Sequence, residues 1–223
     1  ETAKPQAEVA FFNEKDLAGW SADEMKFWSV KDGAIIGTAG DQKIPANQFL
    51  WSETPVKDFK LTLKVKEVPH SANAGIQFRS APHDNGALGY QADVGKGWWG
   101  ALYHEHGRKI LARSADTKER NIKKGDWNNY EILAVGHRIW LAINGKVTVA
   151  LRDELGELSG QIALQIHSGA AQTVAYKDLI LTHNPKIELA GMDEAALDAL
   201  LVAPKKPKAK KKKPAPNQQK KQN

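Results

Sequence analysis

The 223-residue sequence has no cysteine, which excludes disulfides, thiolate metal sites and a cysteine nucleophile. It leaves the compartment open, because many exported proteins also lack cysteine. No apolar run approaches the ~18 residues that a membrane-spanning helix needs. Helical periodicity of useful length is missing before Leu189, which argues against an α/β fold. Acid is absent from Pro204–Asn223, a stretch with nine lysines, so the net charge of +6 resides in that tail and the remainder carries −3. A mildly acidic body does not invite a phosphate backbone. Specific nucleic-acid binding is therefore not expected, and any polyanion contact belongs to the tail. No basic-then-apolar leader is visible, yet the chain opens on Glu1 with a loose segment over residues 1–8. That start fits a mature chain exported to the periplasm or beyond, its signal removed; a boundary set for another reason would look the same.

What is present is β patterning. Phe59, Leu61, Leu63 and Val65 alternate with Lys60, Thr62, Lys64 and Lys66, the period of a half-buried strand. Asp32-Gly33 and Asn144-Gly145 sit between β-forming runs and predict hairpins, since both turn residues tolerate positive φ. Strands recur at short intervals to Thr182, predicting an all-β sandwich or jelly roll over residues 9–183. A linker and short helix follow over 184–203, with Asp193 as cap and Leu197, Leu200 and Leu201 on one side. The lysine- and proline-rich 204–223 is too poor in apolar residues to fold and reads as disordered. Trp20, Trp28, Trp127 and Trp140 read as core.

Three strands share a phase that collects polar groups on one face. Gln77 and Arg79 oppose Ile76 and Phe78; Gln91 and Asp93 oppose Tyr90, Ala92 and Val94; Gln165 and His167 oppose Leu164 and Ile166. Solvated strand backs give the same alternation. The chemistry is more pointed, because an arginine, a carboxylate, an imidazole and carboxamides beside Trp98, Trp99 and Tyr103 suit a polar, ring-shaped ligand. Adjacent in a glycine-flanked segment, Trp98 and Trp99 cannot both point inward if extended. Glu105 is a reserve carboxylate in a His104–His106 cluster that reads equally well as surface.

These segments carry a family resemblance. In order they are Phe11-Phe-Asn-Glu-Lys-Asp-Leu-Ala-Gly-Trp20, Trp28-Ser-Val-Lys-Asp-Gly33, Asn73-Ala-Gly-Ile-Gln-Phe-Arg79, Gly89-Tyr-Gln-Ala-Asp-Val-Gly95, Gly97-Trp-Trp-Gly-Ala-Leu-Tyr103, Trp127-Asn-Asn-Tyr-Glu-Ile132 and Ile162-Ala-Leu-Gln-Ile-His167. Together they resemble the 3-keto-disaccharide hydrolase domain family, formerly a domain of unknown function. The resemblance implies a concanavalin A-like jelly roll of the lectin and glucanase type, usually exported. Many relatives carry glutamate where Gln91 stands, so a catalytic role of that glutamate does not transfer, and Asp93 becomes the carboxylate to follow.

The resemblance also implies cleavage of a glycoside whose sugar ring has been oxidised to a 3-ketone. The ketone acidifies the neighbouring C–H, so a base removes that proton, the anomeric oxygen leaves, and water can add to the enone. Arg79, Asp93 and His167 are the expected catalytic set, with Gln77, Gln91, Trp98, Trp99, Tyr103, Glu105 and Gln165 holding substrate. A divalent cation on Asp93 and His167 would stabilise the enolate equally well, although no metal-ligand spacing supports one. A carbohydrate-binding module on the same fold and a two-carboxylate glycosidase using Asp93 and Glu105 are the competing readings.

Overall fold

The computed structural model describes residues 9–84 and 86–204. In chain order the strands are β1 (Val9–Ala10), β2 (Trp20–Ser21), β3 (Trp28–Lys31), β4 (Ala34–Thr38) and β5 (Gln48–Val56). Next come β6 (Phe59–Val68), β7 (Asn73–His83), β8 (Gly86–Gly95), β9 (Leu102–Glu105) and β10 (Lys109–Ala112). The last are β11 (Asn128–Val135), β12 (Arg138–Ile143), β13 (Lys146–Arg152), β14 (Gly160–Ile166) and β15 (Thr173–His183), followed by helix α1 (Glu194–Asp198). They form two antiparallel sheets. One runs β13-β12-β11-β6-β15-β4-β3 with β1 added along β15, and the other runs β10-β9-β8-β7-β14-β5-β2. The leader over 1–8 and, past Pro204, the lysine-rich tail lie outside the described residues.

The alternation read in β6 is the one observed: Phe59, Leu61, Leu63 and Val65 are buried at 0–3% exposure. They meet Ile76, Phe78, Tyr90, Ile162 and Leu164 of the facing sheet in one continuous core. Burying each such side chain contributes about 1.5–3 kcal/mol, so truncating Leu61 to alanine should cost about 2–5 kcal/mol. Both predicted hairpin turns form with positive φ, at Asp32 and Gly33 and at Asn144 and Gly145.

The C-terminal segment packs on the outer face of the eight-stranded sheet. Asp193 caps α1 by accepting the Ala196 N–H at 2.9 Å, and Leu197 and Leu189 bury against Leu133, Trp140 and Ala142. The Trp140 indole N–H donates to the Leu197 carbonyl at 3.0 Å, while Arg138 reaches Glu194 and Asp198, each at 2.8 Å. Of the three leucines expected on one side, Leu200 is turned outward at 43% exposure. Trp127 is a second departure. It lies half-buried on the same outer face between Lys66 and Lys177, whose ammonium groups stand 4.9 and 4.4 Å from its ring, an arrangement stabilised by cation–π attraction. No helix among the described residues is long and apolar enough to cross a membrane.

Candidate functional site

The seven-stranded sheet turns Ile76, Phe78, Tyr90, Ala92, Val94, Leu164 and Ile166 into the core, which leaves Gly75, Gln77, Gln91, Asp93 and Gln165 on its outer face. Register brings them side by side: Gln165 lies opposite Gly75, Gly75 opposite Asp93, and Gln77 opposite Gln91. His167, one residue past β14, keeps the same parity, and its N–H donates to the Asn73 carbonyl at 3.1 Å. A cleft of about 270 Å³ opens here, walled by Gln91, Asp93, Glu105 and His167. Asn47, Asn73, Trp98 and Tyr103 complete its rim. Its size is near the lower end of the ~300–1,000 Å³ usual for ligand sites.

Asp93 is 4% exposed and held by a relay of side chains. The Ser80 hydroxyl donates to Gln77 Oε1 at 3.0 Å, Gln77 Nε2 donates to Gln91 Oε1 at 2.6 Å, and Gln91 Nε2 donates to Asp93 Oδ1 at 2.7 Å. The relay needs Gly75 beneath it. A Cβ there would stand 2.5 Å from the Gln91 amide carbon, so any side chain would lift Gln91 off the sheet. The second carboxyl oxygen, Oδ2, is buried without a hydrogen-bond partner among the described residues. Burial is the main cause that pushes the Asp93 pKa up to about 8; the Gln91 N–H and the charge of Arg113 pull it down, and Glu105 pushes it up. Asp93 is therefore largely a neutral acid near pH 7. Since Oδ1 accepts from Gln91, its proton belongs on Oδ2.

Burial also raises the Glu105 carboxyl, against the nearby His106 and His167. The Tyr103 phenol is raised by burial, Glu105 and Asp93, and so stays a donor. His167 Nδ1 lies 2.8 Å from the Ser168 carbonyl, which can only accept. The proton sits on Nδ1 and Nε2 is left free to take another.

Other expected site residues are elsewhere. Arg79 is not in the cleft. A bulge interrupts β7, where Arg79 and Ser80 together oppose Gly89 and Arg79 adopts φ 47°, so the parity that put Arg79 beside Gln77 ends at Phe78. Its guanidinium, in a side chain 1% exposed, donates to the Lys57 and Gly136 carbonyls, both at 2.7 Å, and to Asp58 at 3.1 Å. It is a structural clamp between the turns that follow β5 and β11. Trp99 is core: it is 2% exposed, and its indole N–H donates to the buried Glu67 at 3.1 Å. Gly100, at φ 72° and with no room for a Cβ against Thr148, makes the turn that sends Trp98 outward and Trp99 inward. Gln77 and Gln165 are fully buried behind the cleft. Gln77 acts through Gln91, and the Gln165 amide has no partner among the described residues. His104 binds Glu157 at 2.8 Å away from the cleft.

Sequence reading missed Asn47 and Asn73, which the ends of β5 and β7 bring to the rim, and Arg113, whose guanidinium lies 5.0 Å from the Trp98 ring centre. Their only signal was polarity next to a strand end. Among the described residues no three histidine, aspartate or glutamate side chains come together as metal ligands. Asp93 and His167 alone thus fall short of the ligand set of a resident metal.

The fold and cleft define a two-sheet antiparallel β sandwich with a recessed, acid-bearing polar site on the outer face of one sheet. The chain belongs to the 3-keto-alpha-glucoside-1,2-lyase-like domain family, whose profile matches residues 7–182. No curated protein matches it. Among solved structures it is similar to an inferred glycosyl hydrolase from Parabacteroides distasonis, with TM-score 0.61 and 17% identity over 78% of this chain and 92% of that one. A carbohydrate-binding module of family 66 from Bacillus subtilis aligns with TM-score 0.57 and 17% identity, over 72% of this chain and 93% of that one. A B. subtilis protein of unknown function with a galectin-like fold aligns with TM-score 0.59 and 11% identity, over 82% and 97%. At these identities the likeness shows the fold.

Proposed function

We infer that the protein cleaves 3-keto glucosides by elimination across C1 and C2, with water able to add to the product. The observation that carries this reading is the pairing of Asp93 and His167 in one cleft. Asp93 is a buried carboxyl with one oxygen held by Gln91 and the other free; His167 has Nδ1 tied back and Nε2 free. A carboxyl in a cleft wall whose burial opposes its ionisation is the kind of group that proton transfer uses.

In this reading Nε2 of His167 removes the proton from C2, next to the C3 ketone, and the C2–H electron pair becomes the enolate. Tyr103, kept protonated by its surroundings, donates to the enolate oxygen. The pair then forms the C1–C2 double bond as the C1–O bond breaks, and the aglycone oxygen takes its proton from Asp93 Oδ2. Reversal of the whole sequence with water in place of the aglycone hydrates the enone to the free 3-keto sugar: Asp93 takes the proton of the water that adds at C1, and His167 returns its proton to C2. A neutral aspartic acid as donor near pH 7 follows the same environmental logic as other buried catalytic carboxyls.

The test is incubation of purified protein with a 3-keto glucoside and, separately, with its unoxidised parent. Enone absorbance and released aglycone should appear with the first and not with the second. Binding of both without turnover would establish the sugar-binding module instead, the reading to which the structural likeness to a carbohydrate-binding module would then point.

A further inference from the structure

A second cavity lies beyond the residues that the elimination uses. At about 360 Å³ it is larger than the Asp93 cleft and has the size usual for a ligand site. The segment between β10 and β11 arches over it and is fastened at both feet to the β12–β13 hairpin. At one foot the Ala115 N–H donates to the Thr148 carbonyl at 2.8 Å. At the other, Asn121 Nδ2 donates to the Ile143 carbonyl, and Asn144 Nδ2 donates to the Asn121 carbonyl at 2.7 Å. The space is therefore built into the fold, and a guest does not have to open it.

Its walls join apolar surface from Trp99, Ile122 and Val147 to two cations, Arg120 and Lys146. Both cations are exposed, and neither makes a salt bridge among the described residues. Asp116 is the acid in the lining, and both of its oxygens are taken: Oδ1 accepts the Arg120 N–H at 3.2 Å and Oδ2 the Asn121 N–H at 2.8 Å. Two unpaired cations against one engaged carboxylate favour an anionic guest. The planar fork of Arg120 fits a carboxylate with two parallel hydrogen bonds, which an ammonium cannot supply. Beside it the Ser114 hydroxyl accepts the Asp116 N–H at 3.2 Å and keeps its own O–H to donate, as a sugar hydroxyl requires.

The cavity is also the last of three hollows with shared walls. The cleft shares Trp98 with a groove of about 90 Å³, and that groove shares Trp99, Ser114 and Asp116 with the arched cavity. Over β5 the same sheet face is closed, because Phe49, Trp51 and Ala163 are buried against Ala87 from the β7–β8 hairpin. Such a succession suits a chain of rings better than an isolated small anion.

We propose that the arched cavity is a second, non-catalytic site that binds an acidic sugar residue of a glycan, with the sugar carboxylate held by Arg120 and Lys146. It stands whether or not the cleft eliminates a 3-keto glucoside, because none of its residues takes part in that reaction. The experiment is calorimetric titration of the full chain with three unoxidised trisaccharides: β-1,4-linked glucuronate, cellotriose as its neutral counterpart, and sulfated cellotriose. The glucuronate should bind at least about tenfold more tightly than either of the others. Arg120→Ala and Lys146→Ala should each weaken it by about tenfold, with Arg120→Lys between the wild type and Arg120→Ala, and the urea midpoints should stay at the wild-type value because both side chains are exposed. No glucuronate binding by the wild type would overturn the proposal. So would binding that both alanine variants retain, since the lysine-rich tail would then be holding the anion. Sulfated cellotriose binding as tightly as the glucuronate would overturn the carboxylate assignment.

Discussion

Replacing Asp93 by asparagine separates what this side chain does for the reaction from what it does to the fold. Asparagine keeps the Oδ1 acceptor for Gln91 and puts an N–H₂ where the protonated acid has its O–H, so shape and the amide relay survive. The ionisable proton does not. Wild-type Asp93 is raised from 3.8 to about 8 in the folded protein, so its contribution is fully present below pH ~4 and is lost as pH rises through about 8. A shift of about four units at about 1.4 kcal/mol per unit sets a ceiling on the order of 5 kcal/mol. The variant should match the wild type in urea unfolding at pH 4, gain on it steadily toward pH 8, and hold a constant advantage above that. Glu67, also buried and raised to about 8, is common to both proteins and cancels in the difference. Over the same range turnover of a 3-keto glucoside should fall at least ~10²-fold with the proton donor gone, and wild-type activity should decline above pH 8. A stability difference that does not change with pH would refute the buried acid, and with it the assignment of Asp93 as donor.

Arg79→Met should destabilise the protein by about 2–4 kcal/mol, because Asp58 and two carbonyls lose their donor, while the folded fraction keeps its kcat and KM; a selective loss of kcat would return Arg79 to the catalytic set. Gly75→Ala should cut turnover roughly tenfold by displacing Gln91 from Asp93 and, with the buried amide relay broken, destabilise the protein by about 1–3 kcal/mol; unchanged activity in the folded variant would show that the relay does not matter. His167→Ala should lose turnover comparably to Asp93→Asn, since removal of the C2 proton and protonation of the leaving oxygen are both required; turnover retained by His167→Ala would remove it as the base. Turnover should survive exhaustive chelation, whereas loss reversed by added divalent metal would make Asp93 and His167 ligands and move the base role to Glu105.

The sandwich could be read from the sequence because period-two alternation and Asp-Gly or Asn-Gly turns are local and strong, as in β6 and the β12–β13 hairpin. The polar outer face was legible for the same reason: Gln91 and Asp93 on β8 fall in phase, as do Gln165 and His167 at the end of β14, and register only had to align the two pairs. The reading of Arg79 failed at a bulge, since one extra residue in β7 reverses every inference from parity and leaves no mark in composition. Trp99 was misplaced because the turn at Gly100, fitted against Thr148 from a distant strand, decides which indole goes inward. Trp127 was assigned to the core on residue type alone, whereas the two lysines that flank it come from β6 and β15. Asn47, Asn73 and Arg113 depend on where strands end in space.

The Arg79 clamp also bears on how the site is reached. It joins Lys57, Asp58 and Gly136 to the root of the β7–β8 hairpin, and the Gly136 N–H closes the set on Asp58 at 2.9 Å. Those segments are far apart in sequence and belong to both sheets, so the clamp exists only when the sheets are docked. The hairpin that roofs Phe49 and Trp51 is rooted in this corner and cannot swing as an independent flap. Amide hydrogens at its root, such as that of Phe78, should exchange only with global unfolding. Substrate association should then show a single rate rising linearly with concentration, free of the saturation that a lid-opening step imposes.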